Sequence, residues 1–476
     1  MANPEPELRR TMGLTSALSI VVGGVIGSGI FMKPLDIARN VPDPMWIYGL
    51  WAVLGVICLF GAFAYAELGC LFPEAGGQYA FLREGWGRFI GFLYGWCLFA
   101  VINTGTLAAL AVAFAIAIIK AFSLPESEYL VPGLAAAMIL SLAAVNHFGV
   151  TIGALFQNVS TFAKVAALAA ITLGGLLFSG DAQPASAVPT EASSDHSLTL
   201  AGMITASVAI FWAYEGWYQL PFSAAELKNP EKTLPQGLVL GTFLLILIYL
   251  GVNAAYLHVV PVDEMRTLEN DVDVPTLAVS RIFGSGAGSL VAFLIALSTI
   301  GSSNPSLLST PRAFYAMAKD GLVFPRLMHV HPVHRTPTIS IWTQAIWSVV
   351  LVGVLQTFRD ITEFVIFAAL IFYALAVAAV YVLRVRLKDR ARAFRCPGYP
   401  FTPALFIVAV LFVDVQTLAD PGSRQNALYG LYIIAAGAVL YFWLRRRWKP
   451  AAPSDTGSVE QSGFAWVFVR WRSRRR

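Results

Sequence analysis

Residues 23–31 have the sequence Gly-Gly-Val-Ile-Gly-Ser-Gly-Ile-Phe and lie within an apolar run from Leu14 to Met32. The run is long enough to cross a bilayer as a helix, but the clustered glycines weaken that helix near its middle. A break in a membrane helix leaves backbone N–H and C=O groups without partners, which is costly unless a cavity or a ligand satisfies them. We therefore predict an interruption at Gly27-Ser28-Gly29 that serves binding.

A second interruption is predicted at residues 212–217, Trp-Ala-Tyr-Glu-Gly-Trp, within the apolar run from Leu200 to Phe222. The two runs occupy corresponding places in what we interpret as two halves of a membrane domain. Paired interruptions of this kind are the best sequence indication of the binding site of a secondary transporter.

The composition is that of a membrane protein. The chain has 476 residues, of which 57% are hydrophobic and only 13% are charged, whereas soluble domains have roughly 25% charged residues. Segments of about 20 apolar residues span a bilayer, and we predict twelve of them. They are residues 13–33, 46–71, 88–119, 131–146, 156–178, 200–225, 236–257, 287–311, 338–356, 361–383, 402–419 and 426–444.

Basic residues are unequally distributed between the loops that join these spans. If the N-terminus is cytoplasmic and all twelve spans cross, 25 of the 33 Lys and Arg residues lie inside and 7 lie outside. This bias follows the positive-inside rule, so we predict a multi-pass protein of the plasma (inner) membrane with both termini cytoplasmic. Residues 1–12 are polar and precede a long first span, which predicts no cleavable signal peptide. The same distribution argues against a nucleic-acid partner.

The loop at residues 179–199 is rich in Ser, Ala and Pro and contains no Lys or Arg. We interpret it as a flexible extracellular linker between two inverted repeats of five spans each. The acidic loop at residues 258–286 is long enough to hold a short external helix. The predicted parts are a cytoplasmic N-terminus (1–12), a first repeat (13–178), the linker (179–199), a second repeat (200–384), two further spans (402–446) and a basic cytoplasmic tail (447–476).

The first interruption offers backbone donors to a ligand. If the helix unwinds, the half-helix from Ile30 presents free N–H groups and the positive end of its dipole, which suit a carboxylate or a phosphate. The alternative is that Gly23 and Gly27 only allow close packing between membrane helices.

The second interruption contains a carboxylate, Glu215, at mid-membrane depth. An acidic residue there is a functional-site hypothesis by default, and we expect Trp212, Tyr214 and Trp217 to wall its cavity. Unwound carbonyls at this break could accept hydrogen bonds from an ammonium group. N–H groups for an anion and carbonyls for a cation favour a zwitterion, and a free amino acid is the commonest metabolite of that kind.

Lys164 is a lone lysine in the middle of the fifth span. Its insertion costs roughly 2.5–3.5 kcal/mol unless it faces protein or water. It could carry a proton, act as a fixed cation where other transporters bind sodium, or brace helices through their backbone carbonyls.

Other function classes have weaker support. His329, His331 and His334 form a string with metal-like spacing, but no nearby cysteine completes it, so we interpret it as a simple loop and predict no metal site. We find no cofactor motif and no Walker A sequence, which argues against ATP-driven transport. An integral-membrane enzyme needs catalytic polar residues clustered at one depth, and several spans have almost none. A channel would have a ring-forming acidic filter, and none is evident.

Three motifs resemble a known family. Residues 24–31 resemble the first-helix signature of the amino acid–polyamine–organocation superfamily. Residues 211–217 and 226–235 resemble the sixth helix and following loop of its L-type amino acid transporter branch, and residues 301–304 and 312–321 are similar to the end of its eighth helix and beyond. The resemblance covers spans one to ten in order. It implies an all-α, 5+5 inverted-repeat membrane fold with broken helices 1 and 6, two extra C-terminal helices and alternating access.

The resemblance also assigns the two ends of the substrate. By position, the substrate carboxylate would meet the N–H groups around Ser28 and Gly29, with Gly27 and Ile30 at the same break. The substrate ammonium would meet backbone carbonyls, namely those of Val25, Ile26, Phe211, Trp212 and the Glu215 backbone.

The resemblance also implies which residues take part in coupling and gating. Trp212 falls where the family has its gating aromatic residue. Lys164 matches a fifth-helix lysine that, in sodium-independent members, occupies the place of a sodium ion. Glu215 stands where large-neutral members have a small residue and members that carry cationic amino acids and cystine have an acidic one. Animal L-type subunits have a cysteine between spans three and four for a disulfide to a heavy chain, but residues 120–130 contain none, so we expect no covalent partner.

We therefore predict a secondary active transporter of L-amino acids, not an enzyme, that works by sodium-independent exchange, with cationic amino acids among its candidate substrates. The alternative is a proton-coupled amino acid symporter in which Lys164 or Glu215 titrates. The expected partners are small-molecule amino acids and the lipid bilayer.

Overall fold

The computed structural model of the protein describes residues 10–125, 127–178, 198–268, 273–354 and 358–447. Within these ranges the chain is helical, and extended pairing is limited to an isolated bridge between Met12 and Leu227. The first α-helices are α1 (Leu14–Val25), α2 (Gly29–Met32), α3 (Pro34–Asn40), α4 (Pro44–Leu71), α5 (Gln78–Trp86), α6 (Arg88–Cys97), α7 (Asn103–Phe122), α8 (Leu130–His147), α9 (Val150–Leu176) and α10 (Leu200–Ala213).

The second half of the chain begins with the longest α-helix. The remaining α-helices are α11 (Pro230–Val259), α12 (Val262–Thr267), α13 (Val274–Phe283), α14 (Gly288–Leu308), α15 (Pro311–Lys319), α16 (Thr338–Val354), α17 (Phe358–Arg386), α18 (Phe401–Ala419) and α19 (Arg424–Arg447). Shorter elements join them: a π-helix at Leu98–Ile102 and 3₁₀ helices at Trp217–Glu226, Ser285–Ala287 and Pro325–Met328.

Ten helical segments of the described ranges are long and apolar enough to cross a membrane. They coincide with ten of the predicted spans. The sixth predicted span contains the 14-residue α10 followed by a 3₁₀ helix, and the ninth contains the 17-residue α16. The all-α membrane fold is therefore confirmed, whereas the count of twelve crossings and the inverted repeats remain predictions.

Both predicted interruptions are confirmed. α1 ends at Val25 and α2 begins at Gly29, so the first break starts one residue earlier than predicted. α10 ends at Ala213, and the chain turns through residues 214–216 before the 3₁₀ helix that begins at Trp217. Gly216 has φ +111°, a left-handed conformation that glycine adopts without steric cost.

Small residues let α1, α9 and α14 approach each other closely. A Cβ added at Gly23 of α1 would lie 1.9 Å from the Thr161 hydroxyl oxygen of α9. A Cβ added at Gly301 of α14 would lie 1.8 Å from the Ser160 hydroxyl oxygen, also of α9. Because Gly23 and Gly301 carry no side chain, Lys164 of α9 reaches the backbone of the first break.

The acidic loop contains α12 and α13, which confirms the prediction of a short helix there. Three predicted features lie wholly or partly outside the described residues: the N-terminus before Arg10, the linker at residues 179–197 and the tail after Arg447. The predicted domain boundaries remain predictions.

Candidate functional site

The two breaks are in direct contact. The Trp212 indole N–H donates to the Ser28 hydroxyl oxygen at 3.3 Å. A Cβ added at Gly29 would lie 2.4 Å from the Ala213 Cα. Any side chain at position 29 would therefore push the two breaks apart, which explains why glycine is required there.

A tyrosine of α11 joins both breaks. The Tyr249 hydroxyl oxygen lies 3.1 Å from the Val25 carbonyl oxygen and 2.8 Å from that of Ala213. Each carbonyl belongs to the last turn of a helix that stops at a break, so each lacks an intrahelical donor. Sequence reasoning missed Tyr249, because a tyrosine within an apolar span gives no local indication of its distant partners.

A cavity of about 20 Å³ lies between the breaks. That volume holds one or two water molecules and is far too small for an amino acid. It is lined by Gly24, Val25, Gly27, Ser28, Gly29, Thr106, Leu110, Trp212, Glu215, Gln219 and Ser302. Six of the predicted site residues are in this lining, whereas Ile26, Ile30 and Phe211 lie in or beside the same breaks without lining the cavity.

Backbone groups at both breaks lie outside regular helical hydrogen bonding. The N–H groups of Phe31 and Met32 donate to the Ser28 carbonyl and make the first hydrogen bonds of α2. The N–H groups of Gly29 and Ile30 come before these bonds, so they have no acceptor within the helix. At the second break, the Glu215 N–H donates to the Trp212 carbonyl at 3.1 Å. It is therefore turned away from the Phe211 carbonyl, its usual acceptor in a helix. Both breaks thus depart from regular helical hydrogen bonding beside the small cavity.

Lys164 reaches the first break from α9. Its ammonium group donates to the Gly23 carbonyl at 2.8 Å and to the Ile26 carbonyl at 2.7 Å. The Ser298 hydroxyl of α14 also donates to the Ile26 carbonyl, at 3.0 Å. A carbonyl oxygen has two lone pairs, so that of Ile26 is fully used. Lys164 is 3% exposed, and its charge is compensated by backbone dipoles at the junction of three helices.

Glu215 extends away from Ser28 towards α17. Its carboxylate accepts a hydrogen bond from the Tyr373 hydroxyl at 2.7 Å and also faces Tyr218. The prediction that Trp212, Tyr214 and Trp217 surround Glu215 is only partly correct. The Tyr214 side chain turns to α4, where its hydroxyl donates to the Trp51 carbonyl at 3.2 Å. Tyr373 lies 158 residues from Glu215, which is why sequence reasoning did not find it.

A second, larger cavity of about 250 Å³ lies beyond Trp212. Trp212 lines both cavities and separates them. The charged residues of the larger cavity all lie on the side of the membrane predicted to be extracellular. They are Lys33, Asp36, Glu363 and Asp420.

The opposite side is closed by a buried ion pair. The Arg312 guanidinium donates to both carboxylate oxygens of Glu226, at 3.0 and 2.9 Å, and the two side chains are 1% and 0% exposed. Such a pair is stable only while both partners stay together, because separation would leave an uncompensated buried charge. The site is therefore sealed on this side and separated from the larger cavity by Trp212.

Two broken membrane helices that meet around a small buried cavity are typical of a secondary transporter. The sequence profile of the amino acid permease family matches residues 12–440. The chain belongs to this family and is a multi-pass membrane protein that transports amino acids. This result confirms the resemblance, and the family and its relatives are transporters rather than enzymes.

Curated relatives match nearly the whole chain. The serine/threonine exchanger SteT of Bacillus subtilis (strain 168) is 34% identical over 92% of this chain and 98% of its own length. The b(0,+)-type amino acid transporter 1 of Mus musculus is 29% identical over 91% of this chain and 88% of its own. The cystine/glutamate transporter of Homo sapiens is 29% identical over 93% of this chain and 88% of its own.

Proposed function

We propose that this protein exchanges L-amino acids across the plasma (inner) membrane by alternating access and without sodium. The single observation that carries the proposal is the pair of Lys164 hydrogen bonds to the carbonyls of the first break. Exchange is further supported by the relative of 34% identity, which is named a serine/threonine exchanger.

Sodium independence is proposed from the position of the Lys164 ammonium group. It lies among the Gly23 and Ile26 carbonyls and next to the Ser298 hydroxyl. Carbonyl and hydroxyl oxygens are the ligands that hard cations prefer. An ammonium group at this point supplies the positive charge that a sodium ion would otherwise bring, so no coupling ion is needed there.

We propose that the substrate carboxylate binds the N–H groups of Ser28, Gly29 and Ile30 as the cavity opens. The substrate ammonium binds the carbonyls of Phe211 and Trp212 across the cavity. In this arrangement the Ile26 carbonyl holds Lys164 rather than the substrate, because its two lone pairs are already used.

The substrate side chain is proposed to extend towards Glu215 and its tyrosines. A buried carboxylate favours a cationic side chain, with which it forms a charge-assisted hydrogen bond. The neighbouring Tyr373 and Tyr218 hydroxyls also suit a small hydroxyl-bearing side chain, in keeping with the name of the bacterial relative. Both chemistries are therefore included in the substrate panel below.

The test is uptake by purified protein in proteoliposomes. Labelled serine, threonine, leucine, arginine and cystine are presented with or without internal amino acid, sodium and a pH gradient. We expect uptake that requires internal amino acid and is unchanged when choline replaces sodium. Uptake into empty vesicles that a pH gradient drives would contradict exchange and would support the proton symporter instead.

The proposed topology has both termini in the cytoplasm, which places the larger cavity outside and the Arg312–Glu226 pair inside. Lipid and amino acids are the proposed partners, without a disulfide-linked heavy chain. The four cysteines of the chain are unpaired, and three of them, Cys58, Cys97 and Cys396, are buried.

A further inference from the structure

Three histidines meet on the side of the membrane predicted to be cytoplasmic. His147 is the last residue of α8, and His331 and His334 lie in the segment that precedes α16. One ring nitrogen of each histidine lies within 4.8 Å of those of the other two. All three side chains are partly exposed, so an ion from solution has access to them.

From the sequence, the histidine string at residues 329–334 predicts only a simple loop, because it lacks one member of this cluster. His329 shares the local string with His331 and His334, but it does not belong to the group. The third member, His147, comes from a helix that ends 184 residues before His331. Packing between α8 and α16 brings the three together, which is why the spacing along the chain did not show the group.

Backbone contacts hold the three rings near each other. The Thr336 hydroxyl donates to the His147 carbonyl at 3.0 Å, which ties the segment to the end of α8. The His331 N–H donates to the Thr336 carbonyl at 2.9 Å, and the Arg335 N–H donates to that of His331 at 2.9 Å. The His331 and His334 rings stack with centroids 4.6 Å apart, and each lies 5.5 Å from the His147 ring.

We propose that His147, His331 and His334 bind a divalent transition metal ion of the zinc class, with water in the fourth position. Neutral imidazole is a preferred ligand of such ions, at a metal–nitrogen distance of about 2.0–2.1 Å. Tetrahedral ligation at that distance needs nitrogen atoms roughly 3.4 Å apart, so the rings must approach by little more than an ångström. The bound ion links the end of α8 to the segment that leads into α16.

Hydrogen bonds at the rings oppose this binding and give a specific test of it. The Trp342 indole N–H donates to Nδ1 of His147 at 3.2 Å, and the N–H groups of Val333 and His334 donate to Nδ1 of His331 at 3.2 Å each. A neutral ring that accepts at Nδ1 carries its proton on Nε2. Metal ligation through either nitrogen must therefore displace these donors, so we expect moderate affinity.

The experiment is a zinc titration of chelator-treated, untagged protein in detergent, followed with a competing zinc-sensitive dye. We expect one ion per chain. His147→Gln and His334→Gln should each weaken binding at least tenfold, while the matched control His329→Gln binds as the parent does. Absence of stoichiometric zinc binding, or equal loss in the His329→Gln control, overturns the proposal. Elution of each variant as a single species in gel filtration verifies that it is folded.

Trp342→Phe provides the second arm. This substitution removes the donor to Nδ1 of His147 and keeps an aromatic ring, so zinc binding should become severalfold tighter. Unchanged or weaker zinc binding in a variant that elutes as a single species in gel filtration overturns the assignment of His147 as a ligand. Neither arm depends on the direction or ion coupling of transport, so the metal site and the proposed exchange function fail separately.

Discussion

At the scale of single residues, Lys164 has the most specific predicted effect. Lys164→Ala removes the ammonium group that satisfies the Gly23 carbonyl, and it leaves that carbonyl buried without a donor. An unsatisfied buried group costs about 1–3 kcal/mol of stability, so we expect the first break to be distorted and exchange in proteoliposomes to fall severalfold or more. Lys319→Ala, which changes an exposed lysine at the end of α15, should exchange normally. If Lys164→Ala exchanged with the kinetics of the parent protein at every pH, Lys164 would have only a bracing role between helices.

Glu215 is predicted to select among substrates rather than to support all of them equally. Glu215→Gln keeps the shape of the side chain and its contact with Tyr373 but removes the negative charge. Charged hydrogen bonds contribute about 1.5–3 kcal/mol. We therefore expect the KM for arginine or lysine to rise about tenfold and that for leucine to change little. Glu128→Gln, at an exposed glutamate, is the matched control. Equal losses for all substrates would instead assign Glu215 a general gating role.

At the scale of elements, the contact between the two breaks is predicted to be essential. Gly29→Leu would insert a side chain where a Cβ already lies 2.4 Å from the Ala213 Cα. We expect substrate binding and exchange to be lost, while the protein still inserts and elutes as a single species in gel filtration. Gly49→Leu is a matched control, because a Cβ at Gly49 in α4 meets nothing within 4 Å. Normal exchange by Gly29→Leu would contradict the assignment of the carboxylate site.

Both breaks could be predicted from the sequence because their causes are local. Clustered glycines weaken a helix whatever its tertiary contacts are. The first break begins only one residue before its predicted position. Tyr249 and Tyr373 could not be predicted in the same way. Their roles depend on hydrogen bonds across 36 and 158 residues of sequence, and such contacts are determined by helix packing. For the same reason, the sequence shows His331 and His334 close together but does not show that His147 joins them.

Lys164 is an intermediate case. Its high cost in lipid indicated a specific partner from the sequence alone, and the resemblance implied that it occupies the place of a sodium ion. The structure adds the identity of its acceptors, the Gly23 and Ile26 carbonyls. Those acceptors exist only because α1 stops at Val25, so the lysine and the break depend on each other. A substitution at either one is therefore expected to disturb both.

At the scale of the whole molecule, the two sides of the binding site differ. A cavity of about 250 Å³ reaches Trp212 from one side, whereas the Arg312–Glu226 pair closes the other. A cavity of about 20 Å³ is too small for an amino acid, so the residues around it must rearrange when a substrate binds. We propose that the Trp212 barrier and the ion pair open in turn. Because the loops on the sealed side are rich in basic residues, we propose from the positive-inside rule that it is the cytoplasmic side.

Cysteine labelling tests both this topology and the movement. Ala201 is exposed and lines the larger cavity, so Ala201→Cys should react with a membrane-impermeant maleimide added outside the cell. Saturating substrate should change the labelling rate at least twofold, because exchange alters the time that the cavity spends open. Ser127→Cys, in the exposed loop before α8, should label from the same side at a rate that substrate does not alter. The parent protein is labelled in parallel, so that the reaction of its native cysteines can be subtracted. Reaction of Ala201→Cys only from the inside would reverse the proposed orientation, and a rate insensitive to every substrate would contradict alternating access through this cavity.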